Sequence, residues 1–293
     1  MRVGVVFPQL EIGVDPGVIR DYAQLTESLG MDHLLAFDHV LGANAASRPD
    51  WDPPYQHTDT FHEPMVLFGF LAGQTKTLEF VTGVMILGQR QTALVAKQAA
   101  QVDVLSGGRL RLGIGTGWND VEYEALGMNF HDRGLRSEEQ VTLMRRLWTE
   151  ELITYEGKWH KITDAGICPL PVQQPIPVWF GGHADIVKRR IARMGDGWFP
   201  LFRPDERGAE QIEKLRGYAR EEGRDPAEIG IEAMIPHRGR SEDKIASDIA
   251  GWRDLGATHI SINTMNSGMK SPQDHMDAIT AFAEIAKSVL SAA

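Results

Sequence analysis

Asp38-His39 closes the short apolar run 33–37, and the segment beyond it carries His57, His62 and Glu63. Histidine titrates near neutral pH and both gives and takes protons, so at the end of a strand His39 is a candidate general acid or base. A hydrogen-bonded loop histidine is the plainer alternative. These histidines lack the i, i+4 helical pairing of a zinc protease, and the one cysteine, Cys168, excludes both a thiolate metal site and an intrachain disulfide. No metal is expected.

A second chemistry is written into Gly181-Gly182-His183-Ala184, which joins the apolar run 178–180 to the helical segment 186–194. A glycine turn at a helix start leaves backbone N–H groups unpaired at the positive end of the helix dipole, a cradle for phosphate. Two further glycine positions stand out. Thr82-Gly83-Val84 places a glycine inside a strand pattern, the mark of a bulge, of close backbone approach or of packing beneath a helix. Gly113-Ile114-Gly115-Thr116-Gly117 imitates a dinucleotide fingerprint, but the sixth place is Trp118 or Asn119 instead of glycine. Those glycines either relieve crowding at a strand end or let backbone approach a ligand.

These residues need a scaffold, and the hydrophobic period supplies one. Apolar strand runs at 3–7, 33–37, 80–87 and 110–114 alternate with helical segments at 16–29, from Pro64 onward, 92–105 and 137–148. A hairpin around Glu156-Gly157 and a Pro-rich connector at 169–177 interrupt the rhythm. It resumes with strands at 178–180, 197–199, 230–234 and 260–263, each followed by a helix, ending with the one at 272–290. Eight strand–helix pairs in 293 residues predict a parallel (β/α)8 TIM barrel, one domain over 1–293, with insertions in the βα loops after strands two and four. Trp118, Trp179 and Trp198 are expected near strand ends on the catalytic face, and the loop 41–62, with Trp51, Pro53, Pro54 and Tyr55, as pocket wall for a bulky or apolar substrate.

Composition narrows the function classes. A net charge of -10, with acidic residues spread along the chain, gives no clustered Lys and Arg to displace counterions, which argues against nucleic acid. No run approaches the roughly 18 apolar residues of a membrane span, and the N-terminus lacks a signal-peptide pattern. A cytoplasmic protein that binds neither nucleic acid nor membrane is expected.

Phe37-Asp38-His39, Thr82-Gly83-Val84, Ala96-Lys97-Gln98-Ala99-Ala100, the segment from Leu105 to Gly113 and Gly181-Gly182-His183 together resemble the bacterial luciferase-like flavin and deazaflavin oxidoreductases, over essentially the whole chain. The resemblance implies that His39 is the active-site histidine beside the reacting ring and that Asp38 tunes and orients it. It implies a non-proline cis bond at Gly83-Val84 whose bulge braces a tricyclic ring. Gly181, Gly182, His183 and Ala184, with Thr116 nearby, then hold the cofactor phosphate; Ala184 has no hydroxyl or acid to offer, which leaves the backbone N–H groups to do so. The implied cofactor is coenzyme F420, with FMN and a monooxygenase reaction as the alternative, and the implied assembly is a homodimer through helices of the N-terminal half. A non-catalytic flavin-binding homologue and an NAD-linked open-sheet enzyme built on residues 113–117 are the remaining readings.

Overall fold

The computed structural model describes residues 1–292 apart from Pro49 and Asp52. β1 (Arg2–Val6), α1 (Pro16–Ser28), β2 (His33–Ala36) and α2 (Pro64–Ala72) form the first two units. The third strand is in two pieces, β3 (Glu79–Thr82) and β4 (Met85–Ile86), followed by α3 (Thr92–Ser106). After β5 (Leu110–Gly115) come α4 (Asp120–Ala125) and α5 (Arg133–Thr149), then a hairpin of β6 (Ile153–Glu156) and β7 (Lys161–Ala165). The alternation ends with β8 (Val178–Gly181), α6 (Asp185–Met194), β9 (Gly197–Phe199), α7 (Glu206–Glu221), β10 (Gly230–Pro236), α8 (Glu242–Asp254), β11 (His259–Asn263) and α9 (Pro272–Ser291).

Every neighbouring barrel pair is parallel, β1 pairs with β11, and β3 pairs with β5, so the sheet closes on itself as a barrel. Closure excludes the open sheet of the NAD-linked reading. The strands read as continuous apolar runs because helices cover them outside and side chains fill them inside. Val6, Leu35, Val81, Phe199 and Met265 pack within the barrel, while Phe68, Trp148, Trp252 and Phe282 belong to the larger core under the helices. Local signals start the helices where the sequence placed them. Asp15 accepts the Gly17 N–H at 2.7 Å ahead of Pro16, and Ser271 and Asp274 form a reciprocal capping box.

Three expectations need correction. The third strand is not continuous, because the Gly83-Val84 peptide is cis, as the resemblance implied, and turns the chain between β3 and β4. α5 begins at Arg133, a turn before residue 137, and α4 was not foreseen. Two of the three tryptophans do not line the catalytic face. Trp179 sits low in the barrel, its ring under the Arg111 guanidinium at 4.3 Å and edge-on to His259 at 4.9 Å. Trp198 points outward against Phe202.

The N-terminal end of the barrel is filled by buried charge. Glu232 accepts from Arg111 at 2.5 Å and from Ser261 Oγ at 2.5 Å, and its other contact is His33 Nε2 at 2.9 Å. Burial alone raises a carboxyl pKa, but His33 and Arg111 outweigh it and hold Glu232 well below the usual carboxylate range. Burial, then the Arg111 charge, pushes His259 down to about 2. Among the described residues no helix is long and apolar enough to cross a membrane.

Candidate active site

His39 emerges past the end of β2, at the C-terminal face where barrel loops gather. Its Nδ1 lies 3.4 Å from Oε2 of Glu122, on α4 after β5. A carboxylate only accepts, so Nδ1 carries the hydrogen on this side, and in the neutral imidazole Nε2 is then the lone-pair nitrogen. Glu122 is fully buried and also receives the N–H groups of Val40 at 2.5 Å and Leu41 at 3.2 Å and the Gln89 amide at 2.9 Å. Burial opposes its charge, yet the bonds from His39, Gln89 and Val40 prevail and hold the carboxyl below its ordinary range.

Asp38 does not orient His39, contrary to the expectation from sequence. Its Oδ1 accepts from Arg90 at 2.6 Å and its Oδ2 from the Ile86 N–H at 3.0 Å, so it braces β4. Burial pushes the Asp38 carboxyl up, against the opposing pull of Arg90. The other arm of Arg90 reaches Glu63 at 3.0 Å, and Glu63 caps α2 through the Val66 N–H at 2.8 Å. His62 faces away from His39: its Nε2 lies 3.1 Å from the Gly13 carbonyl oxygen and its ring stands edge-on to Phe7. His57 shares a cavity with His39.

Val84, just past the cis bond, is bedded on two glycines of the next strands. A Cβ on Gly181 would lie 2.9 Å from Val84 Cγ1, and one on Gly115 would lie 2.5 Å from Cγ2. Glycine at both places lets the isopropyl group lie against bare backbone. This resolves the glycine-rich segment 113–117 in favour of crowding relief at its middle position. Because β5 and β8 run in register with Ile114 opposite Phe180, Thr116 follows β5 on the side of the Gly181-Gly182 turn. Its carbonyl accepts the Tyr123 hydroxyl at 2.9 Å.

At the turn itself Gly182 has φ 123, a conformation only glycine takes without strain. The Trp198 indole donates to the Gly182 carbonyl at 2.7 Å and fixes the turn from below. Ala184 is the N-cap of α6 and makes no side-chain cap bond. The N–H groups of His183 and Ala184 donate to no backbone acceptor among the described residues. The His183 side chain is exposed and lines a cavity of about 460 Å³ with Arg203 and Arg207.

Aromatic rings complete the surroundings of His39. Phe61, Tyr55 and Trp118 stand edge-on to the imidazole at 4.7, 5.2 and 5.7 Å between centroids, with Trp51 5.9 Å beyond Trp118. Sequence reasoning missed Glu122, Arg90 and Gln89. A signal for Glu122 existed: Asn119-Asp120-Val121-Glu122 has capping-box spacing after the fourth strand, and Asn119 does cap the Glu122 N–H at 3.3 Å.

The model of the luciferase-like monooxygenase family matches residues 1–279. The chain belongs to that family. An F420-dependent glucose-6-phosphate dehydrogenase of Intrasporangium calvum is 33% identical over 62% of this chain and 53% of its own length. An FMNH2-dependent dimethylsulfone monooxygenase of Pseudomonas putida is 25% identical over 87% of this chain and 68% of its own. The fold is shared with the coenzyme F420 dependent tetrahydromethanopterin reductase of Methanopyrus kandleri at TM-score 0.75 and 15% identity, covering 97% of each chain. This luciferase-like family member thus has both F420-dependent and FMN-dependent relatives, and its barrel is the one they share.

Proposed function

We propose that this luciferase-like protein is an oxidoreductase that binds coenzyme F420 and moves a hydride between that cofactor and a small organic substrate. The observation that carries the reading is Val84 pressed onto Gly115 and Gly181, a smooth ledge one residue from a turn with two free N–H groups. A flat ring with a phosphate at the end of its side chain fits that pairing: ring against Val84 and Gly83, phosphate at Gly181, Gly182, His183 and Ala184, with Thr116 beside them.

Bound F420 supplies a two-electron hydride acceptor at C5. With an alcohol as substrate, Nε2 of His39 would take the hydroxyl proton. Glu122 would keep Nδ1 protonated and stabilise the charge that His39 gains, while Asp38 and Arg90 hold β4 beneath. With a ketone, His39 would return that proton. The compact chain, without long insertions, and the segments Gly117-Trp118-Asn119 and Gly195-Asp196-Gly197-Trp198-Phe199-Pro200 favour F420. The second reading, reduced FMN with oxygen, draws on the span of the Pseudomonas match.

Titration of the purified protein with each cofactor, followed by absorbance, separates them. Saturable F420 binding is expected; tight FMN binding with no affinity for F420 overturns the first reading. We also read the protein as a homodimer. Val66 and Phe70 on α2 and Leu94 and Leu105 on α3 are exposed apolar side chains on helices of the N-terminal half.

A further inference from the structure

The groups that a substrate meets around His39 are mostly aromatic, with one carboxylate, Asp59. The cavity against the imidazole, about 170 Å³, is walled by Leu41, Tyr55, Gln56, His57, Asp59 and Phe61 among others, and among the described residues no Lys or Arg lines it. Nearby cations are committed elsewhere. Arg90 is held by Asp38 and Glu63, and Arg48 lies 5.8 Å over Trp51, on the side of a different cavity that includes Asp50 and Asp120. The N–H groups of Val40 and Leu41, which a loop could have offered to an anion, both go to Glu122.

The remaining formal charges near this pocket are acidic, and those of Glu122 and Asp38 are satisfied within the protein. Asp59 takes the Gln56 N–H at 2.7 Å, Glu122 has four donors around it, and Asp38 has Arg90. Burial, then the Asp59 charge, pushes the Tyr55 phenol up, so it stays a neutral hydroxyl. A phosphate here loses its water and gains no counter-charge beside standing carboxylates.

We infer that the site takes a substrate with no anionic group, an aromatic or apolar body and one hydroxyl or carbonyl at the reacting carbon, and turns sugar phosphates away. This rests on the reading that His39 faces that carbon. The rings of Tyr55, Phe61 and Trp118 take the apolar body, and the lone-pair nitrogen of His39 takes the hydroxyl. Glucose 6-phosphate, the substrate in the name of the Intrasporangium relative, is therefore the diagnostic non-ligand.

Calorimetric titration of the full chain, with and without F420, against acetophenone and glucose 6-phosphate tests this directly. Acetophenone binds saturably and glucose 6-phosphate does not; Phe61→Ala weakens the ketone about tenfold. Gln56→Lys, at an exposed position, keeps the wild-type circular dichroism and gains binding of glucose 6-phosphate. Binding of glucose 6-phosphate to the wild type as tightly as the ketone overturns the inference, as does ketone binding that Phe61→Ala leaves unchanged. If the ketone binds through Phe61 while F420 fails to bind, the cofactor reading falls and the substrate class stands.

Discussion

Glu122 Oε2 stands 3.4 Å from His39 Nδ1 while Glu122 Oε1 holds the backbone of the next two residues, Val40 and Leu41. One carboxylate thereby sets both the ring and the chain that carries it. Glu122→Gln keeps an oxygen for the backbone but removes the charge facing the imidazole, so kcat should fall about tenfold with KM nearly unchanged. Glu122→Ala frees the backbone as well, and KM should rise with the loss of kcat. Steady-state kinetics of both variants gives the split, and equal effects on KM alone would remove Glu122 from the proton chemistry.

His39→Asn removes the proton acceptor and should lower kcat by about 10²–10⁴-fold while F420 affinity moves less than threefold or so. Turnover at the wild-type rate would transfer the role to another group. A protein that binds F420 and never reduces or oxidises it would favour the non-catalytic reading.

The bed of Val84 can be filled from below. Gly181→Ala sets a methyl group 2.9 Å from Val84 Cγ1 and should destabilise by about 1–3 kcal/mol, with weaker F420 binding. Adding Val84→Ala should restore the melting temperature, because the clash is between those two side chains. Failure of that rescue, read by thermal melts, would mean that the methyl group is refused by something else.

The buried charge at the barrel's N-terminal end predicts acid sensitivity. His259 is held neutral down to about 2, so the unfolded chain gains a proton near the ordinary histidine value while the folded one does not. Stability is full above roughly pH 6.5 and falls below it, by up to about 1.4 kcal/mol per pH unit for this one group. Glu232, with its depressed carboxyl, adds a loss in the same direction once pH drops through the carboxylate range. Melting temperatures of wild type and His259→Gln between pH 7 and 5 should diverge, with the flatter curve belonging to the variant.

Val66→Glu with Leu94→Glu puts two carboxylates on the exposed apolar faces of α2 and α3. Sedimentation should show the wild type as a dimer and the double variant as a monomer with unchanged circular dichroism. A wild type that sediments as a monomer at all concentrations would refute the dimer.

The barrel was legible because its signals are local: strand runs, a helix-opening proline at Pro64, and glycines at Gly83 and Gly182 each depend on a few neighbouring residues. The site was legible only in part, for a matching reason. His39 and the Gly181-Gly182 turn are recognisable from their own neighbours, whereas Glu122 acquires its task from residues on another loop. Asp38 shows the converse error: adjacency in sequence suggested a partnership with His39, but successive residues at a strand end face opposite ways, and Asp38 turned to Arg90. Trp179 misled for the same reason, since its place near a strand end gave no hint that Arg111 would lie over it from the strand beside it.

Arg90 grips Asp38 with one arm and Glu63 with the other, and these two acids are the gateposts of the loop 41–62. The loop thus leaves and rejoins the barrel at a single guanidinium. Its interior can be lengthened, shortened or rewritten without moving the strands, since loop length itself costs little once the ends are fixed. A barrel fastened in this way is a socket for interchangeable pocket walls, and grafting a relative's residues between Asp38 and Glu63 is the natural route to a new substrate on the same cofactor.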